Sequence, residues 1–173
     1  DEKVEEIFDD SVDDDIEKER AKSRWAQLEA VVGAEPRIKQ ITEDLIKHFD
    51  TRTKTQPGKA MIVCMSREIC VKFYDALRKL RSELHEDDLS KGQMKIIMSA
   101  SASDVEEFQP HYTNRLQKKD LENRFKDPSD PLKIVIVRDM WLTGFDAPCL
   151  TTMYVDKPMQ GANLAQAIAR VNR

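Results

Sequence analysis

Three polar side chains near the end of the sequence have the spacing of a chemical site. Gln166, Arg170 and Arg173 are four and three residues apart, which places them on one face of a helix. Leu164 and Ile168 fall on the opposite face, which is expected to pack against the rest of the fold. Two adjacent guanidinium groups can stabilise a phosphate that gains negative charge during cleavage, the role of an arginine finger. The pattern also fits the solvated face of an ordinary amphipathic helix.

A second candidate site follows an apolar run that ends at Val137. Within residues 138–148, Thr143 could donate a hydrogen bond to a phosphate, and Asp146 offers a carboxylate. Gly144 allows the backbone to turn sharply or to approach a ligand closely. A plain turn explains the same Gly-x-Asp spacing, so the pattern alone leaves both interpretations open.

A third candidate lies where the first apolar run gives way to a helical pattern. A serine such as Ser66 at a helix N-terminus can bind a phosphate oxygen together with backbone amides, or it can simply cap the helix. The pair Gly58-Lys59 does not form a phosphate-binding P-loop, because the first glycine of that motif is missing and Ala60 follows. The three histidines are isolated in sequence, so the pattern supports neither a metal site nor a Ser-His-Asp array.

Along the chain, apolar residues follow two patterns in turn, and these patterns predict the strands and helices that carry the candidate residues. Short apolar runs predict buried strands, and i, i+3, i+4 spacing predicts amphipathic helices between them. The predicted strands are 60–65, 94–98, 132–137 and 151–155, and the helices are 67–82, 112–125 and 163 onward. In the helix over 112–125, Leu116, Leu121 and Phe125 are expected to face inward. This order predicts an α/β fold with a parallel sheet flanked by helices, whose chemistry gathers at the carboxyl ends of the strands.

Charge and periodicity divide the chain into three predicted parts. Residues 1–20 contain eleven acids and three bases, whereas the rest of the chain contains 21 acids and 25 bases. The chain therefore divides into an acidic flexible linker over 1–22, a helical lead-in segment over 23–58 and a larger domain over 59–173. Residues 51–59 are expected to form a turn-rich break at the end of the lead-in segment. The mildly basic body permits a polyanionic partner without demonstrating one.

The composition argues against a membrane-spanning, secreted or disulfide-rich protein. No apolar stretch approaches the roughly 18 residues that a membrane span requires, and the N-terminal residues lack the layout of a signal peptide. Three widely spaced cysteines do not form a disulfide framework. We therefore expect a cytoplasmic protein that has no membrane partner.

Taken together, three segments resemble a known family. Residues 61–66, 134–148 and 166–173 are similar to motifs IV, V and VI of superfamily 2 helicases. The string DMWLTGFDAP over 139–148, followed by YVDKP over 154–158, resembles the R (restriction and motor) subunit of type I restriction-modification enzymes. Ala169 stands where a general helicase more often has glycine, as is usual in this subunit. The resemblance implies a three-layer RecA-like second motor domain, truncated at its C-terminal end.

The resemblance also implies roles for individual residues. Arg170 and Arg173 would act as catalytic arginine fingers on the γ-phosphate of ATP held by a neighbouring domain. Gln166 would lie on the same nucleotide face, and Gly144 and Asp146 would couple the nucleotide state to the grip on DNA.

By the same resemblance, three further residues would contact the DNA backbone. These are Thr143, Ser66 and Arg67. ATP and Mg²⁺ would be bound mainly by the missing first motor domain, so the fragment alone is expected to be inactive.

The full subunit of this family would be an ATP-hydrolysing type I site-specific deoxyribonuclease that translocates double-stranded DNA. The chain's partners would be the first RecA-like domain and the nuclease domain of the same subunit, together with the methyltransferase and specificity subunits. Two alternatives stay open: a strand-separating RNA or DNA helicase lobe, and a non-catalytic α/β module whose arginines dock a protein.

Overall fold

A computed structural model describes residues 15–101, 104–142 and 144–171. The helices and strands follow one another in the predicted order. They are α1 (Asp15–Val32), α2 (Glu35–Thr55), β1 (Lys59–Cys64), α3 (Arg67–Leu80), β2 (Met94–Ile97), α4 (Arg115–Lys126), β3 (Ile134–Val137), β4 (Leu150–Asp156) and α5 (Gly161–Val171). Short 3₁₀ turns cover Ser82–Leu84 and Glu106–His111. In the part of the chain described, no helix is long and apolar enough to cross a membrane.

The four strands form one parallel sheet in the order β2-β3-β1-β4. Ile62 in the middle of β1 lies opposite Ile136 of β3 on one side and Tyr154 of β4 on the other. Because every strand runs in the same direction, all four carboxyl ends lie at one edge of the sheet. The predicted α/β class is confirmed.

Helices cover both faces of the sheet. Ile62 and Cys64 of β1 belong to a core that includes α2 and α3, whereas Met61 and Val63 belong to a core that includes α4. Strand residues alternate between faces, so a strand that is apolar at every position serves both cores. The result is the expected three-layer arrangement, with the lead-in helices α1 and α2 on the α3 side.

Both ends of the lead-in segment differ from the sequence prediction. Helix α1 begins at Asp15 and not at Ser23, so residues 15–22 are helical. Acidic side chains suit the first turn of a helix because they oppose the positive end of its dipole. Residues 1–14 lie outside the described part of the chain.

The predicted break over 51–59 begins later than expected. Helix α2 continues to Thr55, and within it the hydroxyl groups of Thr51 and Thr53 donate to the carbonyl oxygens of Lys47 and Phe49, one turn earlier. Each of these hydrogen bonds keeps the threonine side chain within the helix. The break is therefore limited to the few residues around Pro57.

Two apolar predictions for the second face are wrong. Leu116 is 76% exposed, although Leu121 and Phe125 of the same helix are buried as predicted. In α5 the buried residue is Ala167, whereas Leu164 and Ile168 are 39% and 54% exposed. A small side chain lets a helix lie close to the strand beneath it, so the buried edge of α5 is rotated toward Ala167.

Candidate functional site

The carboxyl edge of the sheet gathers four connecting segments. They follow Cys64, Ile97, Val137 and Asp156, the last residues of β1, β2, β3 and β4. The registers place Val63 beside Val137 and Val155, and Ile97 beside Val137, so the strand ends are level. Loops at such an edge are where parallel α/β proteins place their ligands.

Ser66 serves as the N-cap of α3. Its backbone is extended, and its hydroxyl oxygen accepts a hydrogen bond from the amide of Ile69 at 3.2 Å. This contact satisfies one of the amides that a helix leaves unpaired at its start. Of the two interpretations of Ser66 that the sequence left open, the structure shows the cap. A DNA contact by this residue stays a prediction.

The guanidinium of Arg67 is hydrogen-bonded to other residues of the same chain. Its guanidinium donates to both carboxylate oxygens of Asp104 at 2.6 and 2.5 Å and to the Ser99 carbonyl at 2.8 Å. It also lies 5.1 Å from the centre of the Phe108 ring. The hydrogen bonds from Arg67 lower the pKa of Asp104 to about 2. Arg67 therefore connects the segment after β2 to the start of α3. Its expected contact with the DNA backbone stays a prediction.

Among its described residues, the loop after β3 contains two with left-handed backbone conformations. Gly144 has φ of 65°, as the predicted sharp turn requires, and no atom of the described chain lies within 4 Å of where a Cβ would stand. Trp141 has φ of 68°, which is uncommon for a residue with a side chain. Its ring stacks on Phe145 with 4.6 Å between centroids, and this packing stabilises the unusual turn.

Asp146 lies on the surface of this loop. Its neighbours Phe145 and Ala147 are 3% and 6% exposed, so they anchor the loop and hold the carboxylate at the outside. Thr143, the predicted DNA contact, lies outside the described residues.

Helix α5 lies on the same side of the sheet as this loop. Val171 and Met159 pack in the core that also contains Trp141 and Phe145. Gln166 is exposed, and Arg170 follows it by one helical turn. The side chain of Arg170 and all of Arg173 lie outside the described part, so their predicted roles stay predictions.

The predicted site residues thus fall into two groups. The structure brings the Gly144–Asp146 turn and α5 together on the α4 side of the sheet. Ser66 and Arg67 lie instead at the start of α3, which packs on the opposite face. Among the residues described, no group of three or more His, Cys, Asp or Glu side chains is arranged to hold a metal ion.

Sequence reasoning missed the charged pairs at the end of β4. Arg37 of α2 donates to both oxygens of Asp156 at 3.1 and 2.6 Å, and this contact raises the pKa of the guanidinium. The next residue, Lys157, donates to Asp139 at 2.7 Å. The adjacent acid and base in the YVDKP string were the available signal, but their distant partners were not visible in the sequence.

Comparison with known proteins places these features in one family. Residues 98–173 match the family described as "Type I restriction enzyme subunit R domain 3". The chain is 53% identical over 145 residues to the HindI type I restriction enzyme endonuclease subunit of Haemophilus influenzae, which covers 84% of the chain and 14% of that relative.

Two further relatives come from other organisms. A Methanocaldococcus jannaschii sequence named for the MjaIXP type I restriction enzyme endonuclease subunit is 41% identical over 97% of the chain and 16% of its own length. A Staphylococcus aureus type I restriction enzyme endonuclease subunit, SauCOLORF180P, is 28% identical over 81% of the chain and 18% of its own length. The chain spans about a sixth of the length of these relatives, and it belongs to the family of type I restriction enzyme R subunits.

Proposed function

We propose that this chain is the second motor lobe of an ATP-dependent double-stranded DNA translocase, within the R subunit of a type I restriction endonuclease. One observation carries the proposal: the left-handed turn at Gly144 and the exposed Asp146 lie on the same side of the sheet as α5. A turn and a helix packed in one core can respond together when a ligand binds at the edge they share. The relatives' names support placing this arrangement in a restriction enzyme.

In this proposal Arg170 and Arg173 supply positive charge to the γ-phosphate of ATP. Gln166 stands on the exposed face of α5, one turn before Arg170, and lies beside the nucleotide. The arginines act from this lobe, while the phosphates and Mg²⁺ are held mainly by a first RecA-like domain outside this chain. The sequence supports that division, because Gly58-Lys59 lacks the P-loop pattern.

The Gly144–Asp146 turn links the nucleotide state to the contact with DNA, and Thr143 and the Ser66 region contact the DNA backbone. Such contacts are made to phosphates, so binding should depend little on sequence and weaken with salt. Closing and opening of the cleft between the two lobes would then move the DNA. Cleavage requires the nuclease domain of the same subunit, and site recognition requires the methyltransferase and specificity subunits.

The proposal is tested in a full-length R subunit assembled with its methyltransferase and specificity subunits. Arg170→Ala should lower DNA-stimulated ATP hydrolysis by about a thousandfold or more, because an arginine finger acts on the transition state. Arg78→Ala, which changes an exposed arginine on the opposite face of the sheet, is the matched control. Wild-type turnover by the Arg170 variant would contradict the assignment.

One observation favours a second candidate, a protein-docking module. Leu164 and Ile168 are exposed on α5, as apolar residues at a protein interface would be. Titration of the first motor domain with this chain, with and without a non-hydrolysable ATP analogue, separates the two functions. Association that depends on nucleotide supports the motor lobe, and association that ignores nucleotide supports the module.

A further inference from the structure

The end of β4 is tied to two different parts of the chain by two consecutive residues. The Asp156 carboxylate accepts both hydrogen bonds of the Arg37 guanidinium, which belongs to the lead-in helix α2. The Lys157 ammonium donates to the Asp139 carboxylate at 2.7 Å and to the Arg138 carbonyl at 3.1 Å. This strand end therefore joins the lead-in helix α2 to the loop after β3.

The pair on the Lys157 side is largely shielded from water. The Lys157 side chain is 14% exposed, and that of Asp139 is 22% exposed. The second carboxylate oxygen of Asp139 lies 3.0 Å from Nε of Arg138, so one carboxylate forms ion pairs with two cations. An ion pair in this setting is screened less by solvent than an exposed surface pair, and it holds a more definite geometry.

This pair fixes two segments where they leave the sheet. Asp139 opens the loop that leads to the turn at Gly144, and Lys157 opens the connection to α5, four residues further on. The loop includes the left-handed residue Trp141, which adds a strained backbone between the anchor and the turn. Holding the start of this loop in place therefore affects the position of the Gly144 turn relative to α5.

We propose that Lys157 is a positioning residue that makes the loop after β3 and helix α5 move as one unit, with Asp139 as its partner. The inference rests on the proposed motor function. In that function the loop contacts DNA and α5 contacts nucleotide, so the Lys157–Asp139 pair transmits the state of one to the other. When the pair is lost, ATP hydrolysis should continue, but fewer base pairs of DNA should be moved per ATP.

The test measures ATP hydrolysis and DNA translocation in parallel, in the full-length R subunit with its partner subunits and double-stranded DNA. Lys157→Met should reduce the base pairs moved per ATP several-fold, and Lys157→Arg should restore most of that ratio. Asp139→Asn should lower it similarly, and the double variant should be no worse than either single one. A pair with a merely structural role would lower both rates together and leave the ratio unchanged, which would overturn the proposal.

Lys91→Met is the matched control, since it removes an exposed lysine paired with Asp88 at the other edge of the sheet. It should leave the ratio as in the wild type. If Lys157→Met does not fold, Asp139→Asn decides the question, because an amide of the same shape fills the site. Failure of the wild-type subunit to hydrolyse ATP with DNA would contradict the proposed function, whereas an unchanged ratio in active variants would contradict this inference alone.

Discussion

At the amino edge of the sheet two buried lysines donate to backbone carbonyls, whereas at the carboxyl edge charged side chains pair with one another. Lys59 is 3% exposed, and its ammonium lies 2.8 and 2.5 Å from the carbonyl oxygens of Arg124 and Asp127. Lys95 is bonded in the same way to the carbonyls of Glu86 and Asp88. Burial lowers the pKa of both lysines. Lys59 thereby joins β1 to the end of α4, and Lys95 holds the segment that precedes β2.

At the carboxyl edge, separate segments are connected by ion pairs between side chains. Arg37 binds Asp156, Arg67 binds Asp104, and Lys157 binds Asp139, each pair joining two different elements. The same edge contains the two left-handed backbone positions of the loop after β3. Buried lysines thus hold backbone at the amino edge, whereas ion pairs join loops at the carboxyl edge, where the proposed motor function would act.

The largest stability effect should come from the amino edge, in the variant Gly92→Ala. Gly92 has φ of 79°, and a Cβ there would lie 2.9 Å from the Cβ of Glu86. Left-handed strain and the close contact together should lower the free energy of unfolding by about 3 kcal/mol. Urea unfolding measures this loss. A variant as stable as the wild type would show that the turn before β2 tolerates change.

Lys59→Met should have the next largest effect. The substitution leaves two buried carbonyl oxygens without a donor, and relief from burying an ammonium offsets part of that cost. We expect a loss of about 2 kcal/mol in the free energy of unfolding. ATP turnover per folded R subunit, measured on the same preparation, should be unchanged. A selective loss of turnover would show that the amino edge contributes to activity as well as to stability.

Gly144→Ala makes the same substitution at the carboxyl edge that Gly92→Ala makes at the amino edge. Its φ of 65° costs an alanine about 1 kcal/mol, and open space around the position adds no clash. Thermal unfolding should therefore change less than for Gly92→Ala. DNA-stimulated ATP hydrolysis by the full-length subunit should fall more than it does for Gly92→Ala. The opposite ranking of the two glycines in activity would contradict the division between edges.

The smallest effect expected is that of Asp104→Asn, and it depends on pH. The pKa of Asp104 is about 2 in the folded chain, below its ordinary value of 3.8, so the unfolded chain binds the proton more readily. Its contribution is present above about pH 4 and disappears as the pH falls toward 2. The variant should be less stable than the wild type at pH 7, with the gap closing below pH 4. A constant gap in melting temperature across that range would show that Arg67 does not act through this carboxylate.

Much of the fold could be predicted because it depends on local patterns. Apolar runs such as Met61–Cys64 and the helical stripes between them fixed the order of elements. Where the prediction failed, tertiary contact decided the outcome: Leu116 is exposed, and α5 is seated on Ala167. The spacing of apolar residues predicts which face of a helix is buried. It does not predict how far a small buried side chain changes the rotation of the helix about its axis.

The candidate site was less predictable than the fold. The turn at Gly144 was visible, since glycine favours left-handed backbone, but the left-handed Trp141 was not. Arg37 and Asp156 are 119 residues apart, so their contact depends on the folded topology. The same applies to Arg67, whose carboxylate partner Asp104 lies 37 residues later in the chain.

Hydrogen exchange of the full-length R subunit on DNA, with and without a non-hydrolysable ATP analogue, would show whether nucleotide acts at the carboxyl edge of the sheet. It reports how each stretch of backbone amides responds to nucleotide. The account predicts that nucleotide slows exchange in residues 138–148 and 161–171, at the carboxyl edge, and leaves residues 85–93 and 127–133 at the amino edge unchanged. Protection confined to the amino edge, or equal at both edges, would contradict it.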